Sequence, residues 1–372
     1  MSSKILVTGG AGFIGSHLAD ELLAHGYGVR ALDSLCPQVH GKGARRPAYL
    51  DARVDLVVGD VRDAAAVRSA LSGTDAVVHL AASVGVGQSM YRIQDYTSVN
   101  NLGTAVLLEE LAKTPTGRLV VTSSMSIYGE GRYRSEDGAI HDRVERSLEQ
   151  LRAGRWEPAL PDGRTLTALP TPEQKIVNLA SVYALSKYDQ ERLCLMIGRA
   201  YGIPTVALRL FNTYGPRQAL GNPYTGVLAN FAARLLNEKP AVIFEDGEQR
   251  RDFVNVHDVA RACRLALESN AAVDHAINIG SGQPISVLEA AERIAQALGK
   301  RRLKPDVTLR YRMGDIRNCF ADISLARELL GYRPLVSLED GLAELGGWLV
   351  DQKPIDRLDA ARGELESRGL SL

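Results

Sequence analysis

The stretch "KILVTGGAGFIGSHLADELLAHG" (residues 4–26) constrains this chain more than any other. A short β-branched run stops at Thr8, glycines follow at Gly9, Gly12 and Gly15, and a helical pattern runs on to Gly26. Glycines at this spacing, between a strand and a helix, let the backbone turn sharply and approach a pyrophosphate. The helix that opens at Phe13 and Ile14 offers free N–H groups and the positive end of its dipole. Asp33 closes the next strand pattern, "GVRALD", 18 residues beyond Gly15. A carboxylate there accepts hydrogen bonds from an adenosine ribose and repels a 2′-phosphate, so NAD is expected rather than NADP. A glycine turn followed by an unrelated loop aspartate is the weaker explanation, because strand, turn, helix and acid fall in order.

The rest of the chain extends this unit. "VDLVVGD", "DAVVHLAA", "GRLVVTSS" and "PTVALRL" read as further strands, with helical patterns near 63–71, 95–113 and 183–201. Strand–helix alternation of this kind predicts an α/β chain with a Rossmann-type, doubly wound parallel sheet. Asp60-Val61 and Leu80-Ala81-Ala82 end the third and fourth strands and are cofactor candidates, each also readable as a plain strand end. Residues 1–211 are expected to form the nucleotide-binding domain. Residues 130–178 are polar and turn-rich, as expected of a functional excursion from it. From 212 to 350 amphipathic helices with short strands ("AVIF", "HAINIG") suggest a smaller substrate-binding lobe, and 351–372 a tail.

Composition excludes several classes. Lys+Arg and Asp+Glu are both 44, so no surplus of positive charge points to nucleic acid or a membrane surface. Cys36, Cys194, Cys263 and Cys319 are scattered without metal-binding spacing. The N-terminal "MSSKILVTGG" lacks the pattern of a signal peptide, and a cytoplasmic location is expected.

"SVYALSKYDQERL" places Tyr183 and Lys187 four residues apart on one helical face. A free tyrosine has a pKa of about 10 and is a poor base at neutral pH. Lowering it by about three units requires roughly 4 kcal/mol of preference for the phenolate. One cation about 5 Å away supplies roughly 3 kcal/mol at an effective dielectric near 20. A lysine together with a nicotinamide cation therefore meets the need. Alone, Y-x-x-x-K is a common accident; beside a dinucleotide motif and the serines that end "VVTSS", it reads as catalytic.

Together these motifs resemble the extended short-chain dehydrogenase/reductase family, in particular its nucleotide-sugar epimerases and dehydratases. The resemblance runs from "VTGGAGFIGSHL" through "SSMSIYG" and "YALSK" to "YRMGDIRNCFADISLARELLGYRP". It implies Ser124 as the catalytic serine, Tyr183 as the base and Lys187 as the cofactor-ribose lysine. Asn100 in "SVNNLGT" matches the asparagine that lines the cofactor site. Asn212 in "RLFNTYGP" matches a substrate-phosphate contact. Arg251 in "QRRDFVNVHD" and Arg312 in "YRMGDI" match arginines that hold a diphosphate, and Asp315 an aspartate that holds the nucleotide ribose. Guanidinium groups suit that role because they fork onto phosphate oxygens and stay charged. Phe244 is similar to an aromatic that stacks on the base in some relatives, and equally readable as a core residue. Ser126 is counted with the substrate contacts. Relatives pair through two helices per subunit, here near 95–113 and 183–201, so a homodimer is implied.

The residues after Ser124 narrow the reaction. Dehydratases of the family carry an Asp-Glu pair there, decarboxylases a Glu at the second position, and 3,5-epimerising members a cysteine. This chain has Met125 and Ser126, neither a useful proton donor or acceptor near neutral pH. What remains is oxidation at carbon 4, rotation of the keto sugar about its diphosphate, and reduction from the other face. "SVGVGQS" (83–89) is a candidate sugar-facing wall or a plain loop. "GPRQALGNPYTGV" and "EDGEQRRDFV", with the excursion, look most like chains acting on dTDP-L-rhamnose, with UDP-glucose and UDP-glucuronate 4-epimerases close behind. The alternatives are a dehydratase, decarboxylase or reductase with an acid supplied by the excursion (Glu136, Asp137, His141), and a non-catalytic NAD-binding regulator.

Overall fold

A computed structural model describes residues 3–220, 226–311, 315–352, 363–364 and 366–368. Its centre is a seven-stranded sheet. The order is Ala276–Ile279, Thr205–Leu210, Leu119–Ser124, Ala76–His79, Lys4–Thr8, Gly28–Asp33, Asp55–Val58, and every neighbouring pair is parallel. The strand order reverses between Lys4–Thr8 and Ala76–His79. In an open sheet this reversal leaves a crevice at the carboxyl ends of the strands, where ligands bind.

The apolar runs are explained by burial on both faces. Ile5 and Val7 face one core with Leu18, Leu22 and Val78, while Leu6 between them faces another with Val77, Leu107 and Val121. Every side chain of the strand meets protein, so the sequence shows no polar alternation.

Two segments that the sequence places in the second lobe belong to the first. The strand Ala276–Ile279 pairs with Thr205–Leu210 as the edge of the large sheet. The helix Val256–Glu268 packs Val259, Ala260, Cys263 and Ala266 into the same core as Leu18, Ala19 and Leu22. Its amphipathic pattern does reveal a buried face; it carries no information about which sheet that face covers. The second lobe is built from helices Val227–Leu236, Val287–Ala297 and Leu338–Leu349 around Phe231, Ile294 and Leu345.

The helical pattern at 95–113 is broken. Ile93–Tyr96 and Gly103–Lys113 are α-helical, and Thr97–Leu102 between them is a π-helical turn that carries Asn100. The excursion is ordered. Arg132–Ser135 pairs antiparallel with both Ile140–His141 and Leu166–Leu169, and the short helix Leu148–Arg152 lies between those two strands in sequence. It is fastened to the second lobe by buried ions. Arg146 meets Glu130 at 3.3 Å and Glu245 at 2.8 Å, and Arg317 meets Glu157 and Asp246 at 2.5 Å and Glu245 at 3.2 Å. Glu130 also accepts from the Arg317 and Asn318 amides and from the Tyr133 hydroxyl.

Candidate active site

The glycine turn sits at the crevice. Gly9 has φ +69°, and a Cβ there would lie 3.1 Å from the backbone of Ala81 at the end of the fourth strand. A Cβ on Gly15 would lie 2.2 Å from the Gly9 carbonyl, so only glycine lets the helix Phe13–Ala24 close on the turn. Gly12 is the N-cap, and no side chain caps that helix, whereas Asp63, Ser181, Asn255 and Ser286 each cap theirs. Asp33 is 8% exposed, its carboxylate braced by the Ala11 amide at 3.0 Å and the Leu35 amide at 2.9 Å. An uncapped helix start, a turn without side chains and a fixed carboxylate fit the pyrophosphate and adenosine ribose of a dinucleotide.

Other cofactor candidates have structural partners. Asp60 binds its carboxylate to the Arg62 side chain at 2.6 and 2.9 Å, and Arg62 reaches Ser98. That ion pair holds the Asp60 carboxyl below its ordinary range. Val61 is buried in the core. The Leu80 and Ala81 amides donate to the Thr8 carbonyl and hydroxyl, which fastens 80–82 beside the glycine turn. Asn100 is fully buried; it accepts from the Ser83 amide at 2.7 Å and donates to Ser186 at 2.9 Å, joining the 83–89 segment, helical over Val86–Ser89, to the helix that carries Tyr183 and Lys187.

That helix, Val182–Tyr201, is started by Ser181, which accepts from the Ala184 amide, and stopped by Gly202 in the left-handed region. It brings Tyr183 to Ser124 at the end of the strand Leu119–Ser124. The Tyr183 amide donates to Ser89 at 3.0 Å, and the Tyr96 ring meets the Tyr183 ring edge-on at 6.4 Å. Burial pushes the Tyr183 phenol above its ordinary pKa, and a hydrogen bond with Ser124 opposes this. Lys187 is 3% exposed, and burial lowers it to about 8. Its ammonium donates to Gln190 at 2.6 Å.

Ser126 donates its hydroxyl to Ser124 Oγ at 2.9 Å and its amide at 3.2 Å. Met125 is 8% exposed and packs in an apolar cluster with Ile127, Phe211 and Ile323. The alternative acids lie within the excursion: Asp137 accepts from Ser135 and Arg164, and His141 meets Ser135 at 2.9 Å. Glu136 lies 3.5 Å from the Thr165 hydroxyl.

On the second-lobe side, Asn212 is partly buried and its Oδ1 has no partner among the described residues. Arg251 donates to the carbonyls of Arg250, Ile316 and Arg317. Phe244 is partly exposed, just after the strand Val242–Ile243. The Asp315 carbonyl accepts from Arg146 of the excursion at 2.9 Å. Arg312 lies outside the described residues. Gln190, Ser89 and Arg146 were missed in the sequence. Gln190 was findable, because it lies three residues beyond Lys187 on one helix.

The model of the NAD dependent epimerase/dehydratase family matches residues 5–146 and 160–280. The chain belongs to that family. A dTDP-L-rhamnose 4-epimerase of Burkholderia thailandensis is 38% identical over 355 residues, covering 94% of this chain and 95% of the relative. A UDP-glucose 4-epimerase from Thermotoga maritima, solved with UDP-glucose, superimposes with a TM-score of 0.75 at 30% identity, covering 93% of this chain and 98% of its own. A UDP-glucuronic acid 4-epimerase from Bacillus cereus, solved with UDP-glucuronic acid and NAD, gives 0.74 at 29% identity, covering 93% and 99%. The family is that of an NAD-dependent sugar-nucleotide epimerase, and NAD is its cofactor.

Proposed function

We propose that this enzyme inverts carbon 4 of a nucleotide-diphosphate sugar, with a dTDP-6-deoxyhexose such as dTDP-L-rhamnose favoured and UDP-hexose or UDP-hexuronate next. The observation that carries this reading is the pairing of an intact Ser124–Tyr183–Lys187 set with the environment of Met125 and Ser126. Met125 sits in an apolar cluster and the Ser126 hydroxyl is bound to Ser124. No group at either position protonates a leaving hydroxyl or removes a proton beside a ketone, so elimination and decarboxylation lack their acid–base partner.

Gly9, Gly12, Phe13, Ile14, Gly15 and Asp33 would hold the NAD pyrophosphate and adenosine ribose, with Asn100 and Lys187 nearer the nicotinamide end. NAD supplies a reversible hydride acceptor at carbon 4. Tyr183, as phenolate, takes the proton of the 4-hydroxyl and later returns it. Both acceptor positions of Ser124 are filled by Ser126, so the Ser124 proton is left to donate to the phenolate and the sugar oxygen. The Lys187 cation favours the phenolate. Arg251 has five N–H groups, of which three meet backbone carbonyls, leaving two for the diphosphate. Asn212 and Arg312 join it as the tether about which the keto sugar turns, with Phe244 and Asp315 at the base and ribose.

Two further features belong to this reading. The helices Gly103–Lys113 and Val182–Tyr201 pack together and, with the preceding turn, leave Leu102, Leu185 and Met196 more than half exposed, which suits a homodimer. The four cysteines are unpaired, which suits the cytoplasm.

The test is a panel of dTDP- and UDP-linked sugars with NMR identification of products. A 4-epimer mixture without net NADH is expected. A 4-keto-6-deoxy or decarboxylated product, or accumulating NADH, would sink the proposal.

A further inference from the structure

We propose that Gln190 is a positioning residue for the Tyr183–Lys187 pair: its side-chain carbonyl fixes one ammonium donor of Lys187 through a neutral partner, where a carboxylate would form an ion pair and weaken the field of the lysine at Tyr183. This rests on the reading of Tyr183 as the base.

The geometry leaves Gln190 one orientation. It is fully buried, and Lys187 beside it is 3% exposed. An ammonium carries donors only, so the group 2.6 Å from Lys187 Nζ is the amide oxygen. The amide nitrogen then faces Thr104 Oγ1 at 2.8 Å, His79 Nε2 at 3.2 Å and the Ala81 carbonyl at 3.4 Å. Thr104 gives its own proton to the Asn100 carbonyl at 2.5 Å and therefore accepts from Gln190. His79 completes the chain. Its Nδ1 lies 2.7 Å from the Thr8 hydroxyl and its Nε2 2.9 Å from Thr104 Oγ1. Burial drives His79 down to about 3, so it stays neutral. Reversing the amide would place donors against the ammonium and an acceptor against a hydroxyl with no proton left to give.

The charges around Lys187 are accounted for element by element. On its own helix, the Glu191 charge is felt at Lys187, but its carboxylate is paired with Arg209 of the strand Thr205–Leu210 at 2.7 and 2.9 Å. Asp189 is bound to Asn101 of the π-helical turn. Burial holds the Cys194 thiol neutral, pushed up to about 12. The strand Ala76–His79 offers neutral His79, the helix Gly103–Lys113 neutral Thr104, and the strand Leu119–Ser124 the Ser124 hydroxyl. The sequence "KYDQER" thus has acids at 189 and 191, turned to other partners, and an amide at the position that touches the lysine. A carboxylate there would form an ion pair with Lys187 and cancel its field at the phenol.

The test uses the full-length protein loaded with NAD. The near-ultraviolet absorbance of tyrosinate is followed against pH, and the Tyr183→Phe trace is subtracted. Gln190→Glu is expected to raise the Tyr183 midpoint by about one unit. Thr104→Val, which removes the hydroxyl that orients the amide, is expected to raise it by less. Thermal unfolding and NAD content are recorded for both. A purely structural Gln190 would lower the unfolding temperature and leave the midpoints in place. Unmoved midpoints in Thr104→Val and in any folded, NAD-loaded Gln190→Glu overturn the proposal. No sugar is used, so a wrong substrate class shows in the sugar panel and not here. If Tyr183 is not the base, Tyr183→Phe retains turnover.

Discussion

Ser126 holds Ser124 from two sides, with its hydroxyl 2.9 Å and its amide 3.2 Å from the same oxygen. Ser124 therefore has one proton to give and no room to accept. Ser126→Ala removes one of the two holds and is expected to lower kcat about five-fold, the worth of roughly one hydrogen bond. Ser124→Ala should lower it about 100-fold. Steady-state rates on the best sugar of the panel check both, and equal losses would show that Ser126 does more than orient.

Tyr183→Phe keeps the ring contact with Tyr96 and the Ser89 hydrogen bond to its amide. Turnover should fall by about 1,000-fold or more, with NAD still bound. Equilibrium dialysis of NAD beside the rate assay separates loss of chemistry from loss of cofactor.

Arg317 is 1% exposed and faces Glu245, which is fully buried, together with Asp246 and Glu157. Removing the cation with Arg317→Ala leaves the buried Glu245 with Arg146 alone and takes from Asp246 its guanidinium partner. The expected cost is about 3–5 kcal/mol, read as a lowered denaturant midpoint at unchanged slope. Glu157→Gln removes a 56%-exposed partner and should cost about 1 kcal/mol or less.

Two imidazoles set an acid limit on stability. Burial lowers both His17 and His79 from 6.5 to about 3. Between those values the unfolded chain binds the protons and the folded chain does not. Stability from these groups is therefore fully present above pH 6.5 and is lost progressively as pH falls toward 3. His17 donates to the Pro216 carbonyl at 3.1 Å, a bond that glutamine can also make. In His17→Gln the fall of unfolding free energy between pH 6 and pH 5 should be shallower by about 1.4 kcal/mol per pH unit. An identical slope in both proteins would show that His17 takes up no extra proton on unfolding.

The chemistry of the first lobe was legible because its signals are local. Gly9, Gly12, Gly15 and Asp33 sit at fixed spacings, and Tyr183 and Lys187 follow helix periodicity. Two kinds of feature were not legible. The strand Ala276–Ile279 joins the first sheet by pairing with residues some 70 positions earlier, a register that the four residues Ala-Ile-Asn-Ile do not encode. The excursion was read as irregular because its strands are short, its apolar cluster of Tyr133, Val144 and Leu166 is small, and the ion pairs that fasten it, Arg146 and Arg317 with Glu130 and Glu245, look like surface charge in a sequence. Met125 was read for the acid it is not; the structure adds that its side chain is core.

The edge position of Ala276–Ile279 has a consequence for how this protein is made. During synthesis the strand Thr205–Leu210 emerges long before its partner. Its open edge stays available while residues 212–275 are still being added. The nascent chain must therefore carry an unpaired, mostly apolar strand margin until residue 276 is added. Translation pauses or chaperone contact in that interval would guard the step at which the growing chain is most exposed to wrong pairing.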